Sequence, residues 1–256
     1  MITIKSASEI KKMREGGKIL AEIMEKIKAE IAPGKNTLEL DKLAEELVFA
    51  NGGEAAFKNY KGEGGRSFPA TICASINSEV VHGIPSIEKV LRVGDIIKID
   101  IGIKYKSMFT DMARTFPVGN INPQARKLMK VTEKSFWQGV KKIKAGKFLS
   151  DYSKAAQEYA EGQGFSVIRN LVGHGIGKEL HEDPHIPNYY NKKYQDVKLE
   201  AGMVLALEPM INEGSFETIL DKDGWTFKTK DGHLTAHYEN TVLVTEKGVE
   251  ILTMSS

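Results

Sequence analysis

The sequence predicts a mixed α/β fold made of two duplicated halves, each a pair of helices followed by a pair of strands. Three observations carry that prediction. The order helix, helix, strand, strand occurs once before Gly119 and again after it. Fragments repeat with it: IAPGK at Ile31 to Lys35 is echoed by IKAGK at Ile143 to Lys147, and Leu91-x-x-Gly94-Asp-Ile-Ile-x-Ile-Asp100 is echoed by Leu199-x-x-Gly202-Met-Val-Leu-x-Leu-Glu208. Finally, Ile97, Ile99, Ile101 and Ile103 alternate with Lys98, Asp100, Gly102 and Lys104, the period of a strand with one apolar face. Two such units, too few for a solenoid, suit packing about a pseudo-two-fold axis, with halves of roughly 1–119 and 120–256 in a single domain.

Each element has a local cause. Ser6 with Glu9 fits a capping box, and Ile10, Met13, Leu20, Ile23, Met24, Ile27 and Ile31 follow at helical spacing until Pro33 and Gly34 stop the helix. Thr37 is read as the cap of a second helix, with Leu40, Leu43, Leu47 and Val48 on its apolar face and Asn51-Gly52-Gly53 at its end. The stretch from Ala55 to Phe68, rich in Gly, Lys and Asn, reads as a mobile loop. PATICASINSEVVHGIP then carries strand-like residues into a turn at His82-Gly83-Ile84-Pro85. In the second half Asn122-Pro123 opens a helix running to Ile143, and another spans about Asp151 to Ala160.

Gly94 to Gly119 is the stretch on which the rest depends. Its β-branched and aromatic residues predict strands from Ile96 to Tyr105 and from Met108 to Val118. A hairpin closing symmetrically about Tyr105 and Lys106 pairs residues whose numbers sum to 211, which sets Asp100 opposite Asp111. Like charges that close repel unless a cation lies between them.

Composition narrows the field. A chain of 256 residues can bury a sizeable core, and a net charge of +2 gives no general pull toward DNA or a membrane surface. The N-terminus lacks an apolar signal core, and no run is long enough to span a bilayer. A single cysteine, Cys73, excludes an intrachain disulfide, so a reducing, cytoplasmic setting is expected.

The duplication places carboxylates on carboxylates. An offset of 108 carries Asp100 onto Glu208, and Glu239 in HYENTVLV holds the place that Asp111 holds in the first half. Four carboxylates converging on an apolar sheet are prohibitive to bury unless they bind cations. His174, in GHGIG, adds a nitrogen where glycines permit close approach. Two Asp, two Glu and one His suit first-row divalent ions and, with only one Cys, not a thiolate zinc site. Bridging carboxylates can hold two ions roughly 3.5–4 Å apart, an arrangement suited to hydrolysing a peptide or ester.

The order Asp100, Asp111, His174, Glu208, Glu239, with GHGIG, HEDP, LEPM and YENT, resembles the type I methionine aminopeptidases, in their short bacterial form, over almost the whole chain. That resemblance implies the duplicated pita-bread fold, a curved antiparallel sheet covered by helices, and removal of the initiator methionine when the second residue is small. It implies two divalent ions (Co, Mn, Fe, Ni or Zn), with Asp111 and Glu239 bridging, Asp100 completing one shell, and His174 and Glu208 the other. Glu208 is then also the proton shuttle, His181 stabilises the oxyanion, and His82 contacts the scissile amide. Cys73 and Trp225 match positions lining the methionine pocket and Phe68 replaces an aromatic there, whereas Leu180 stands where an aromatic is frequent and the loop Asn59 to Phe68 departs from the common pattern.

Two other readings stay open on the sequence. TDMARTFPVG also resembles the related Xaa-Pro peptidases, and a non-catalytic module binding peptides or ribosomal RNA keeps the same fold. The implied substrate is the N-terminal methionine of nascent chains, and a monomer is expected. Lys127, Lys130, Lys134, Lys141, Lys142, Lys144 and Lys147 could contact a ribosome, although such a run more often forms a solvated helix face.

Overall fold

The first helix begins at its cap. Ser6 Oγ accepts from the Glu9 N–H at 3.3 Å while Glu9 Oε2 accepts from the Ser6 N–H at 2.8 Å, and α1 runs over Ala7–Ala29. The computed structural model describes residues 2–62, 65–193 and 195–254. The second helix, α2 (Thr37–Ala50), is capped by Asn36 and not by Thr37. Asn36 Oδ1 accepts from the Glu39 N–H at 3.0 Å, and Glu39 returns a carboxylate oxygen to the Asn36 N–H. Thr37 cannot serve because its hydroxyl turns inward, donating to the Ser86 carbonyl and accepting from the Ser86 amide. Asn36→Ala is therefore expected to cost about 1 kcal/mol. The check is a lower urea midpoint at unchanged m-value, with Thr37→Ser as the comparison that leaves the cap intact.

The first half continues with β1 (Glu54–Ala55), β2 (Ile72–Ile76), β3 (Glu79–Val81), β4 (Ile96–Tyr105) and β5 (Met108–Pro117). The second opens with α3 (Pro123–Val140), capped by Asn122, and α4 (Leu149–Gly162). Its strands are β6 (Ser166–Val167), β7 (Val172–Gly175), β8 (Glu182–Pro187), β9 (Val204–Leu207), β10 (Met210–Asn212), β11 (Thr218–Leu220), β12 (Phe227–Thr229), β13 (Thr235–His237), β14 (Asn240–Val244) and β15 (Val249–Ile251). No helix among the described residues is long and apolar enough to cross a membrane.

β4 and β5 pair along their whole length, but in a register two residues from the symmetric closure: partners sum to 213. The reversal is a two-residue turn at Lys106 and Ser107, both left-handed with φ of 48° and 67°, as a type I′ hairpin turn requires. Asp100 therefore lies opposite Ala113, and Asp111 opposite Gly102. The two aspartates still share a face, as diagonal neighbours. The other face carries Ile97, Ile99, Ile101 and Ile103 against Leu20, Ile23, Met24 and Ile27 of α1 and Leu40 of α2. Full burial contributes roughly 1.5–3 kcal/mol for each such side chain.

In the second half the sheet order is β15-β14-β9-β7-β8. Phe136, Tyr152 and Ala156 of the helices cover Leu205, Leu207, Val242 and Val244. Here the repeated hairpin is interrupted. β9 stops at Leu207 and β10 starts at Met210, so Glu208 and Pro209 stand in one break, while Tyr238 and Glu239 stand in the break between β13 and β14. The halves meet along β5. The Asp111 N–H donates to Thr241 Oγ1 at 2.9 Å, Thr241 Oγ1 donates back to the Asp111 carbonyl at 2.8 Å, and the Glu239 N–H donates to the Ala113 carbonyl at 2.9 Å. Arg114 closes the seam, donating to the Glu239 carbonyl and to Asn240 Oδ1 while its guanidinium lies 4.2 Å from the centre of the Tyr238 ring.

The loop read as mobile is pinned over its described residues. β1 pairs with the end of β4, the Asn59 N–H donates to the Phe68 carbonyl at 2.8 Å, the Phe68 N–H donates to the Tyr60 carbonyl at 2.8 Å, and Lys61 bridges to Ser67. Buried Phe57 and Phe68 hold it inward. Glu63 and Gly64, within the same stretch, lie outside the described residues.

Candidate metal centre and its pocket

Asp100, Asp111, Glu208 and Glu239 converge on one cavity of about 110 Å³, with His174 beside them. A hollow of about 730 Å³ near Leu149, Tyr189 and Tyr190 holds none of them, whereas a wider one of about 810 Å³ shares Tyr60, His82, His174, His181 and Glu208 with the site. Asp111 and Glu239 arrive from the seam, Asp100 from the middle of β4, Glu208 from the break after β9, and His174 from β7. One donor atom each from Asp111, His174 and Glu239 lie within 4.8 Å of one another, as do donors of Glu208, His237 and Glu239. Asp100 Oδ1, Asp111 Oδ1 and Glu239 Oε1 are buried with no hydrogen-bond partner among the described residues. Buried carboxylate oxygens left unpaired are costly, and divalent cations would satisfy them; the donor set fits such ions.

The electrostatics follow from crowding. Burial, and then the mutual repulsion of the four, pushes the carboxyls of Asp100, Glu208 and Glu239 well above the usual carboxylate range. Burial raises Asp111 to about 7, partly offset by the hydrogen bond it receives from Asp100. Above about pH 6.5 the metal-free folded state thus binds more protons than the unfolded chain; below that, the four carboxyls are offset by His82, His174, His181 and His237, which stay neutral in the folded state while free histidines take up protons. Stability therefore falls as pH rises through about 7 and beyond, where Asp111 and its neighbours ionise. We expect the melting temperature of chelator-treated protein to drop between about pH 6.5 and pH 8, and saturating divalent metal to flatten that slope. A flat profile without metal would refute the proton count.

Each histidine is set by its neighbours. His174 Nδ1 lies 2.8 Å from the Gly175 carbonyl, which makes Nδ1 the donor and leaves the Nε2 lone pair facing the carboxylates, 3.7 Å from Glu208 Oε1. Burial first, then His181, depresses its pKa to about 3, so it is neutral. Glycines flank it because a Cβ on Gly173 would lie 2.5 Å from the Ala206 carbonyl oxygen, and one on Gly175 would lie 2.1 Å from that of Asp183. His181, in the connection between β7 and β8, stacks edge-on against His174 with centroids 4.4 Å apart, and its Nδ1 is 2.7 Å from the Tyr60 hydroxyl. His82 lines the same cavity with a left-handed φ of 58°, its ring centre 6.2 Å from that of Trp225. Desolvation holds both His82 and His181 near 4, and they are neutral at pH 7.

The apolar end is formed by Cys73, Phe68 and Trp225. Cys73 and Phe68 are buried, and the rings of Phe68 and Trp225 meet edge-on at 5.2 Å. The pinned loop can lie on the indole only because residue 62 is glycine: a Cβ there would be 2.7 Å from Trp225 Cη2. Leu180, where an aromatic is frequent, is buried and lines the same cavity.

Two residues of the site are not found by reading the sequence. Tyr60, which orients His181, has no local signature. His237 has one: it stands two residues before Glu239, and alternation puts positions i and i+2 of an extended chain on one face.

The pattern described as metallopeptidase family M24 matches residues 11–246. The chain belongs to this family. Among M24 relatives, the methionine aminopeptidase of Clostridium perfringens is 46% identical over 254 residues, covering 99% of each chain. The crystal structure of methionine aminopeptidase from Thermotoga maritima superposes with a TM-score of 0.94 at 43% identity, covering 100% of both. The prolidase from Pyrococcus furiosus is more distant, at 25% identity and a TM-score of 0.79, and the match covers 66% of that chain. The pita-bread fold expected from the motifs is therefore the fold of this M24 member, and its kinship lies with the methionine aminopeptidases, not the Xaa-Pro branch.

Proposed function

We infer that this chain is a divalent-metal hydrolase that removes N-terminal methionine from peptides. The observation that carries the reading is the convergence of four buried carboxylates and a neutral His174 beside a small sulfur- and aromatic-lined pocket, in a chain matched end to end by methionine aminopeptidases. The residue roles that follow are our proposal.

Asp111 and Glu239 would be shared between two ions, with Asp100 serving one and His174 and Glu208 the other. The ions, drawn from Co, Mn, Fe, Ni or Zn, would supply Lewis acidity and lower the pKa of water. Glu208 accepts the proton of the attacking water, a task that needs little intrinsic basicity at such a centre. His181, with Nδ1 accepting from Tyr60, presents its Nε2–H to the oxyanion developing on the scissile carbonyl. His82, which lines the same cavity, contacts the scissile amide.

Selectivity comes from the volume and lining of the pocket. At about 110 Å³ it is far smaller than the roughly 300–1,000 Å³ of sites for whole ligands, and it suits one unbranched side chain. Contacts between a thioether and the Phe68 and Trp225 rings add about 0.3–1.5 kcal/mol. Substrates are nascent chains whose second residue is small, and the protein acts as a cytoplasmic monomer. Ribosome contact would run through the lysines of α3 and of the stretch just beyond it. Lys127 is already engaged, donating to the Gln163 carbonyl and lying over the Phe165 ring. Charge reversal at Lys141, Lys142 and Lys144 tests it by ribosome co-sedimentation.

The reading is tested by release of the first residue from Met-Ala-Ser and from Ala-Pro-Ala, using chelator-stripped protein with each divalent metal added back. Metal-dependent cleavage of the methionyl peptide alone is expected. Preference for Ala-Pro-Ala would overturn the pocket assignment, and turnover insensitive to chelation would overturn the metal centre.

A further inference from the structure

His237 has no role in the scheme above, yet its surroundings are unusual. It is 1% exposed, and neither ring nitrogen has a hydrogen-bond partner among the described residues. A buried polar group left in that state is costly unless something partners it. Its Nε2 faces the acidic cluster, 3.4 Å from Glu208 Oε2 and 3.9 Å from Glu239 Oε2. Glu208 is thereby flanked by two imidazoles, with Oε1 on the side of His174 at 3.7 Å and Oε2 on the side of His237. The backbone beneath the ring is fixed, since the His237 N–H donates to Thr115 Oγ1 at 2.9 Å and the His237 carbonyl accepts from the same hydroxyl at 2.8 Å.

We propose that His237 is a positioning residue: its Nε2–H holds Oε2 of Glu208, so that Oε1 is kept turned toward His174 and the ion those two groups share. The inference rests on the metal centre proposed above. A neutral imidazole carries one N–H, and placing it on Nε2 gives that proton an acceptor. The same contact removes rotational freedom from a carboxylate that otherwise stands in a break between strands. Contacts of this kind, one shell out from an ion, typically govern affinity by about 10–100-fold.

The test titrates cobalt(II) into chelator-stripped parent, His237→Gln and His237→Leu proteins, followed by calorimetry and visible absorption, with kcat and KM measured on Met-Ala-Ser. His237→Leu is expected to bind cobalt about 10–100-fold more weakly and to lose kcat with little change in KM. His237→Gln, whose amide N–H can reach Oε2, should stay close to the parent in both. If His237→Leu does not fold, His237→Asn asks the same question, because its amide stops a methylene short. Equal losses in the Gln and Leu variants with an altered cobalt spectrum would make His237 a direct ligand and overturn the proposal. Parent-like titration by His237→Leu, or by His237→Asn in its place, would overturn it too while leaving the metal centre standing. Failure of the parent itself to bind cobalt would remove both.

Discussion

Asp111→Asn will lower kcat/KM on a methionyl peptide by roughly a thousandfold, the scale on which one strong electrostatic contact at a reacting centre is lost, and will raise the melting temperature of the metal-free protein. Both effects have one origin. Asparagine keeps the size of the side chain and leaves the seam intact, because the bonds to Thr241 are made by the Asp111 backbone. What disappears is a charge. Repulsion from Asp111 is the largest influence after burial on Asp100, Glu208 and Glu239 alike. Neutralising it relieves the other three in the metal-free state and removes the proposed bridge in the loaded one. Thermal melts at pH 8 with and without chelator, alongside kinetics, decide the matter. A variant that melts below the parent in the presence of chelator would contradict the repulsion argument.

Gly175→Ala is expected to have the largest effect on stability and to weaken metal binding with it. The new Cβ would stand 2.1 Å from the Asp183 carbonyl oxygen and 3.1 Å from that of Glu182. Those are backbone atoms of the neighbouring strand, so no side chain can swing aside; β7 must move away from β8, carrying His174 with it. Overpacking of this kind costs typically about 1–3 kcal/mol, and contact with backbone places it toward the upper end. Gly162→Ala is the control: a Cβ there meets nothing within 4 Å, and its effect should be neutral or mildly stabilising. If both variants melt alike, the close approach of β7 and β8 is not what requires glycine beside His174.

Much of this architecture is legible in the residues themselves. Alternation through Ile97 to Ile103 locates the central strand and its apolar face, and the repeated Gly-x-x-x-x-x-Asp/Glu spacing pairs Asp100 with Glu208 from the order of residues alone. The hairpin register is not legible, because Lys106-Ser107 carries no Asn-Gly or Gly signature to announce a left-handed turn. Nor is the pinning of the loop, because its anchors, Phe57 and Phe68, hold it through tertiary packing that local composition does not encode. Tyr60 finds His181 across 121 positions, a pairing no periodicity can reveal. His237 can be inferred from alternation with Glu239, but a lone histidine beside a conspicuous acid carries little weight until its burial is known.

The seam along β5 has a thermodynamic corollary. Asp100 and Asp111 belong to one half of the chain and Glu208 and Glu239 to the other, and the donors interleave across the boundary. An ion held there acts as a clasp, joining pieces that the unfolded chain cannot bring together. The resistance of the molecule to denaturation is then a function of free ion activity, rising by about 1.4 kcal/mol for each tenfold increase above the dissociation constant. A cell that lets its divalent ion pool fall would lose standing protein as well as turnover, since the unclasped form is the one from which unfolding begins.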